Sequence, residues 1–306
     1  MGTNNTNVLR ADTELTNFIP EVLANDVLGY LPAYLNLINT VTIDFNADEI
    51  KRYGDSVKVA KRGALNVNNK AQGSNVTKQT PTDDSVVITL DKHKEITFSA
   101  EDVARAFSKP DVMGGYMQDA AMKIAEAVED DLASLYVSAG EDVNGGSSVG
   151  IDDLRTARRK LITAKVPKNA PIYGYIDEYA EEDLPLTDAA VLGLSAPIID
   201  GSIAKLGGVN LFTSQSVVSE GSPETFHCLV YAKTAMGLVV RPMPMDAEAW
   251  GGAKQAVVND PQTGLSIRVT MSYDANALAP QITVDVLYGV GVLREEHLID
   301  LYHTNG

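Results

Sequence analysis

The 306-residue chain carries 25 Lys/Arg against 41 Asp/Glu, a formal net charge of −16, and 44% of its residues are apolar. That composition supports a packed core and excludes a disordered chain, and the length points to about two domains. The acidic balance argues against tight nucleic-acid binding through the average surface, and the single cysteine, Cys228, excludes an internal disulfide framework.

Residues 1–50 read as a polar arm followed by a short helix. Pro20 suits a first helical turn, and Val22, Leu23, Val27 and Leu28 recur at helical spacing until Pro32. No basic-then-apolar leader opens the chain, and no apolar run reaches the roughly 18 residues of a membrane span.

From residue 51 to residue 95 the period changes. Val57 and Val59 alternate with Ser56 and Lys58, and later Val86, Ile88, Leu90, Ile96 and Phe98 alternate with polar residues. These predict two half-buried strands. The stretch between them, rich in Asn, Gly and Thr, cannot build a core, and loops of about twenty residues are functional or disordered. The whole reads as a long β-hairpin reaching away from the body. It holds nine Lys/Arg and five Asp/Glu, net +4, which leaves −20 on the rest of the chain. A basic segment on an acidic protein calls for an acidic partner, which a second copy would supply.

Residues 111–139 predict the longest helix, on the order of 40 Å by its rise per residue. Met117, Ala121, Ile124, Val128, Leu132 and Leu135 form one apolar stripe, Asp111 is the candidate N-cap, and Gly140 stands at the C-terminal stop. The opposite face carries Asp119, Glu126, Glu129, Asp130 and Asp131. Residues 141–150, with Gly145 and Gly146, read as a linker. An amphipathic helix follows over 152–164, with Leu154, Ala157, Leu161 and Ile162 inward and Arg155, Arg158 and Arg159 outward. Then come a buried strand in "PIYGYID", a short acidic helix in "EYAEEDLP", and strands in "NLFTSQSVV", "FHCLVYA", "LSIRVTMSY" and "QITVDVLYGVGVL". Without strand–helix–strand alternation, the fold class is α+β.

Catalytic patterns are scarce. None of His93, His227, His297 and His303 stands in a metal-ligand spacing with another His or Cys. His227 and Cys228 are neighbours on a strand and point to opposite faces, which argues against a Cys–His pair. No phosphate-binding loop is present, and Gly289-x-Gly291 has Arg294 where a dinucleotide fingerprint needs its third glycine. The carboxylates Asp177, Glu178, Glu181, Glu182, Asp183 and Asp188 lack the alternation of a calcium loop and read as a solvated helix face. The expectation is no catalytic residue, no cofactor and no metal.

The order of elements nevertheless resembles a known family. "YGDSVKVAKRG" opens the hairpin and "VVITLDKHKEITFSAEDVA" closes it. The long helix, "DDLRTARRKLITAKVP", "PIYGYIDEYAEEDL", "GSIAKLGGVNLFTSQSV" and "VDVLYGVGVLREEHLIDL" follow. This series is similar to the major capsid proteins of tailed bacteriophages, which share the Hong-Kong-97-type fold. The resemblance implies an N-terminal arm and short helix (1–50), an extended loop (51–95) and a peripheral domain with a spine helix (96–149). It further implies an axial domain (150–275) and a C-terminal strand returning to the peripheral domain (276–306).

The resemblance also implies a non-enzymatic subunit of an icosahedral shell, homo-oligomeric as pentamers and hexamers. Such a shell is made in the host bacterial cytoplasm, ends in the virion, and encloses DNA without tight binding or a membrane. Partners in such a system are a separate scaffolding protein, a portal and decoration proteins. An encapsulin-type nanocompartment is the alternative shell, and an α+β enzyme the alternative of another class. In the family the extended loop lies over a neighbouring subunit. The expected interface therefore pairs Lys58, Lys61, Arg62, Lys70 and Lys78 with Glu126, Glu129, Asp130 and Asp131 of the neighbour, and the expected hinge is Gly145–Gly146.

Overall fold

A computed structural model describes residues 36–43, 55–61, 65–80, 84–99, 112–184, 202–245, 253–259, 264–274 and 279–304. The predicted arm, the short helix at 20–31, Asp111 and Arg62 lie outside the described residues.

Period-2 patterning is realised in two larger sheets and one hairpin. The hairpin joins β1 (Ser56–Lys61) and β2 (Asp84–Thr89), antiparallel, with Val57 opposite Ile88. A five-stranded sheet is built around β13 (Ala279–Val292). One edge of β13 takes β12 (Ser266–Asp274) and then β10 (Met236–Arg241), and its other edge takes β3 (Lys92–Ser99). Beyond β12 lies β11 (Lys254–Asn259). The third sheet contains β4 (Glu141–Asn144), β5 (Ile172–Ile176), β6 (Ser202–Leu206), β7 (Val209–Thr213), β8 (Val218–Glu220), β9 (Thr225–Ala232) and β14 (Leu298–Thr304), ordered β4-β14-β9-β5-β7-β6 with β8 on β9. Three α-helices are described: α1 (Val112–Ala133), α2 (Ile151–Thr163) and α3 (Glu178–Asp183). Helices set against mostly antiparallel sheets make this an α+β fold.

The stripe on α1 is what joins the two large sheets. Ala121, Ile124, Ala125, Val128 and Leu132 are buried against Ile267, Val269, Ile282, Val284 and Val286 of the five-stranded sheet. Tyr175, Leu229 and Tyr231 of the other sheet share the same core. Alternation along β9 sends Cys228 and Val230 the other way, into a second core with Leu154, Ala157 and Leu161 of α2. His227 and Cys228 accordingly point apart, as their adjacency on a strand requires.

Several expectations need correction. "SVVITLDKHKEITFSA" is two strands: β2 stays in the hairpin, and β3 leaves it at Leu90–Asp91 to join β13. The long helix stops being α-helical at Ala133 and continues as a 3-10 turn over Ser134–Ser138. Gly140 is not a left-handed helix stop. A Cβ there would lie 2.6 Å from the Glu295 carbonyl oxygen, so glycine is required by close backbone approach. The proposed boundaries at 150 and 275 do not match the sheets, because β10, β11 and β12 are hydrogen-bonded into the sheet that holds β3 and β13. Residues 279–304 serve both sheets, β13 in one and β14 in the other.

The hairpin is anchored at its root. Ile88 and Val239 are buried there with Val57, Val59, Leu90 and Leu293 packed around them. A Cβ at Gly289 would sit 2.1 Å from the Thr89 carbonyl oxygen, and one at Gly291 would sit 3.0 Å from Ile88. The Gly-x-Gly of β13 is thus the place where β2 crosses closely over the sheet.

Candidate assembly surface

Beyond β1 and β2 the hairpin joins no core among the described residues. Residues 65–80 are exposed throughout, including Leu65, Val67 and Val76. Their geometry is held by a side-chain clip: Gln79 Oε1 accepts from the Asn66 backbone N–H at 2.8 Å, and Gln79 Nε2 donates to the Asn66 carbonyl. Lys58, Lys70 and Lys78 are exposed on this arm. Lys61 pairs at 3.4 Å with Glu296 of its own chain.

The acids of α1 divide into two kinds. Glu126 and Asp130 are exposed, with Lys123 beside Glu126 at 2.5 Å. Glu129, assigned to the solvent face from the helical pattern, is instead 3% exposed. It accepts from the backbone N–H groups of Asn36 and Leu37 and from the Tyr175 hydroxyl at 3.2 Å. Burial pushes its carboxyl above the usual range, against the opposing pull of those two N–H groups. Asp131 is also engaged internally, by Tyr288 at 2.5 Å, Lys92 at 3.1 Å and Lys94 at 3.3 Å. Partial burial opposes its ionisation, but the Tyr288 hydroxyl and the two ammonium groups hold it below the ordinary carboxylate value. Glu129 and Asp131 therefore brace their own subunit, because Asn36, Leu37, Tyr175, Tyr288, Lys92 and Lys94 already use their oxygens.

The predicted linker is part of the sheet. Four residues of it form β4, parallel to β14. Gly145 N–H donates to the Tyr302 carbonyl at 2.8 Å, and Thr304 N–H donates to the Gly146 carbonyl at 2.8 Å. Gly146 has φ +71°, a conformation L side chains rarely adopt.

A buried polar node, not legible from spacing, lies under α3. Asp177 caps α3 and accepts from Cys228 Sγ at 3.3 Å and from His303 Nε2 at 2.9 Å. The three residues are separated widely in sequence, so only the β5–β9–β14 pairing brings them together. Their donor atoms converge closely enough to hold a metal ion. Burial pushes the Cys228 thiol far up, so in the absence of a cation it stands as a neutral donor to Asp177. Asp177 Oδ1 accepts from both Cys228 and His303, while the buried His303 Nδ1 has no hydrogen-bond partner among the described residues.

Among the described residues, two large cores form the body, and the hairpin is packed at its root and exposed over residues 65–80. The fold is shared with phage capsid structures. A structure of Mycobacterium phage Che8 matches with TM-score 0.63 and 18% identity over 87% of this chain and 90% of that one. The capsid of cyanophage P-SCSP1u matches with TM-score 0.60 and 19% identity over 88% and 87%. A virus-like particle from Pyrococcus furiosus matches with TM-score 0.51 and 11% identity over 92% and 99%. No protein-family model matches the sequence, and no curated protein does. The chain has the capsid-subunit fold along nearly its whole length.

Proposed function

We propose that this chain is a structural, non-enzymatic subunit of a tailed-phage-type icosahedral shell, a component of the virion that encloses DNA without binding it tightly. The observation that carries the reading is the capsid fold itself, matched over 87% of this chain and 90% of its counterpart. The unpartnered hairpin supports it, since a solitary monomer gains nothing from sixteen exposed residues held in one shape. Lys58, Lys70 and Lys78, with Arg62, supply the positive side of the contact, and Glu126 and Asp130 of a neighbour supply acids that remain exposed.

The Gly145–Gly146 turn serves as the hinge between the α1 region and the third sheet in this reading. It would move by giving up its two hydrogen bonds to β14. A scaffolding protein, a portal and decoration proteins complete the assembly, which takes place in the bacterial cytoplasm. The similarity to a virus-like particle favours one second reading, a nanocompartment shell with protein cargo.

Negative-stain microscopy of the purified chain, alone and with co-expressed neighbouring phage proteins, tests the shell. Closed particles are expected, and only monomers under every condition contradicts the proposal. Extracting the particles then separates the two shells: DNA supports the phage reading, and enzyme cargo supports the nanocompartment.

A further inference from the structure

We propose that Asp177, Cys228 and His303 hold a divalent transition metal, zinc before others, as an internal clamp of the third sheet. Such a clamp is independent of whether the chain assembles.

Three strands build the site. β9 lies between β5 and β14, with Cys228 opposite Leu301. His303 stands two residues beyond Leu301 and so shares its face, while Asp177 follows directly on β5. The side chains converge beneath α3, and their ligand atoms all lie within 4.8 Å of one another. Cys228 Sγ is 3.3 Å and His303 Nε2 2.9 Å from the same oxygen, Asp177 Oδ1. Two ligands on one tetrahedral zinc are separated by roughly 3.3–3.6 Å, from its usual bond lengths. Small side-chain rotations therefore open the triangle to the size zinc needs.

Without a metal, one atom of the node is crowded. Asp177 Oδ1 accepts from Cys228, from His303 and from the Ala180 backbone N–H at 3.2 Å, where a carboxylate oxygen offers about two lone pairs. A cation relieves the crowding, because the thiol and the imidazole turn from that oxygen to the metal. Cys228 loses its S–H proton to water and forms the sulfur–metal bond. The His303 ring proton moves from Nε2 to Nδ1, which frees the Nε2 lone pair for the metal. One thiolate and one carboxylate then neutralise the dication, so no net charge is buried. A sulfur, nitrogen and oxygen donor set suits zinc, whereas calcium and magnesium take oxygen ligands.

The surroundings hold the ligands in place. Tyr179 N–H donates to Asp177 Oδ2 at 3.3 Å, and with Ala180 N–H it fixes the carboxylate at the start of α3. The His303 ring stacks on Phe226 at 5.3 Å, and Phe226 meets Tyr179 at 5.1 Å, so aromatic rings wall one side. Asp177, Cys228 and His303 are 3%, 0% and 1% exposed, so the metal enters while the sheet forms.

Cys228 is the only cysteine, so any metal–thiolate signal reports this site. The full chain is expressed in minimal medium with cobalt(II) in place of zinc, which supplies the metal during folding. Stoichiometric cobalt and a sulfur-to-cobalt charge-transfer band in the near ultraviolet are expected from the wild type. Cys228→Ser should abolish the band, and both it and His303→Gln should lower retained cobalt at least about tenfold. A wild-type protein without the band overturns the proposal whether or not the variants fold, and so does a Cys228→Ser protein that retains cobalt as wild type does. Wild-type protein grown with zinc should also melt at least about 4 °C above metal-starved protein. Equal melting of the two contradicts the clamp.

Discussion

Glu129 shows how one residue can be misassigned by a correct pattern. The helical stripe placed it among acids on the far side of α1, and periodicity cannot see that residues 36–42 lie across that part of the helix. Leu37, Ile38 and Val41 are buried there, Thr40 meets the Tyr231 hydroxyl at 2.5 Å, and the carboxylate of Glu129 receives the segment's first two amides. Glu129→Ala strands those amides in the interior and should lower stability by about 1–3 kcal/mol. Glu129→Gln keeps an acceptor oxygen and should cost less.

The pH dependence follows from the raised carboxyl. The folded protein binds this proton more tightly than the unfolded chain, so the contribution of Glu129 to stability improves as pH falls through its folded pKa and is least favourable at neutral pH. The wild-type minus Glu129→Gln stability difference should therefore shift in favour of wild type as pH falls from 7 through the carboxylate range. Thermal melts across pH check both variants, and a Glu129→Ala protein that melts with wild type refutes the bracing role. Gly289 was visible in the sequence only as a failed dinucleotide motif. Its real constraint, the Thr89 carbonyl, belongs to a chain crossing about two hundred positions away. Gly289→Ala should destabilise by about 1–3 kcal/mol through overpacking at the hairpin root, read as a lower Tm.

At the scale of elements, strands with clean alternation were legible and their partners were not. The run from Val86 to Phe98 keeps its period across Leu90–Asp91, so nothing in the pattern marks where β2 ends and β3 begins. The break is tertiary: Leu90 N–H turns to the Asp55 carbonyl at 2.7 Å, closing the hairpin, while the next residues pair with β13. The 141–150 segment reads as a linker because three glycines and two serines fall in it, yet β14 recruits it as a parallel strand and turn. Gly145→Pro should therefore lower the Tm of the isolated subunit, by about 1 kcal/mol of stability for the lost N–H to Tyr302. An unchanged Tm would mean this pairing adds nothing. The Cys228–Asp177–His303 node escaped the sequence because three strands assemble it.

For the whole molecule, the uneven charge was the informative feature of the composition. In the proposed shell a basic hairpin on an acidic body would steer copies toward one another, and salt screens such attraction over roughly 8 Å at physiological ionic strength. Rising salt should slow assembly, followed by light scattering, more than it loosens finished particles. Equal effects on both would argue that charge holds the contact rather than guiding it. The acidic body should also leave free subunits unable to retain duplex DNA at micromolar concentration in physiological salt, which a filter-binding assay checks. The central claim, that each hairpin is completed by a neighbouring copy within a closed shell, is tested most directly by an electron cryo-microscopy reconstruction of the assembled particle. The account predicts a closed icosahedral wall in which residues 56–89 of each subunit run onto the adjacent one. A hairpin folded back over its own subunit, or a particle whose hairpins touch no neighbour, would contradict it.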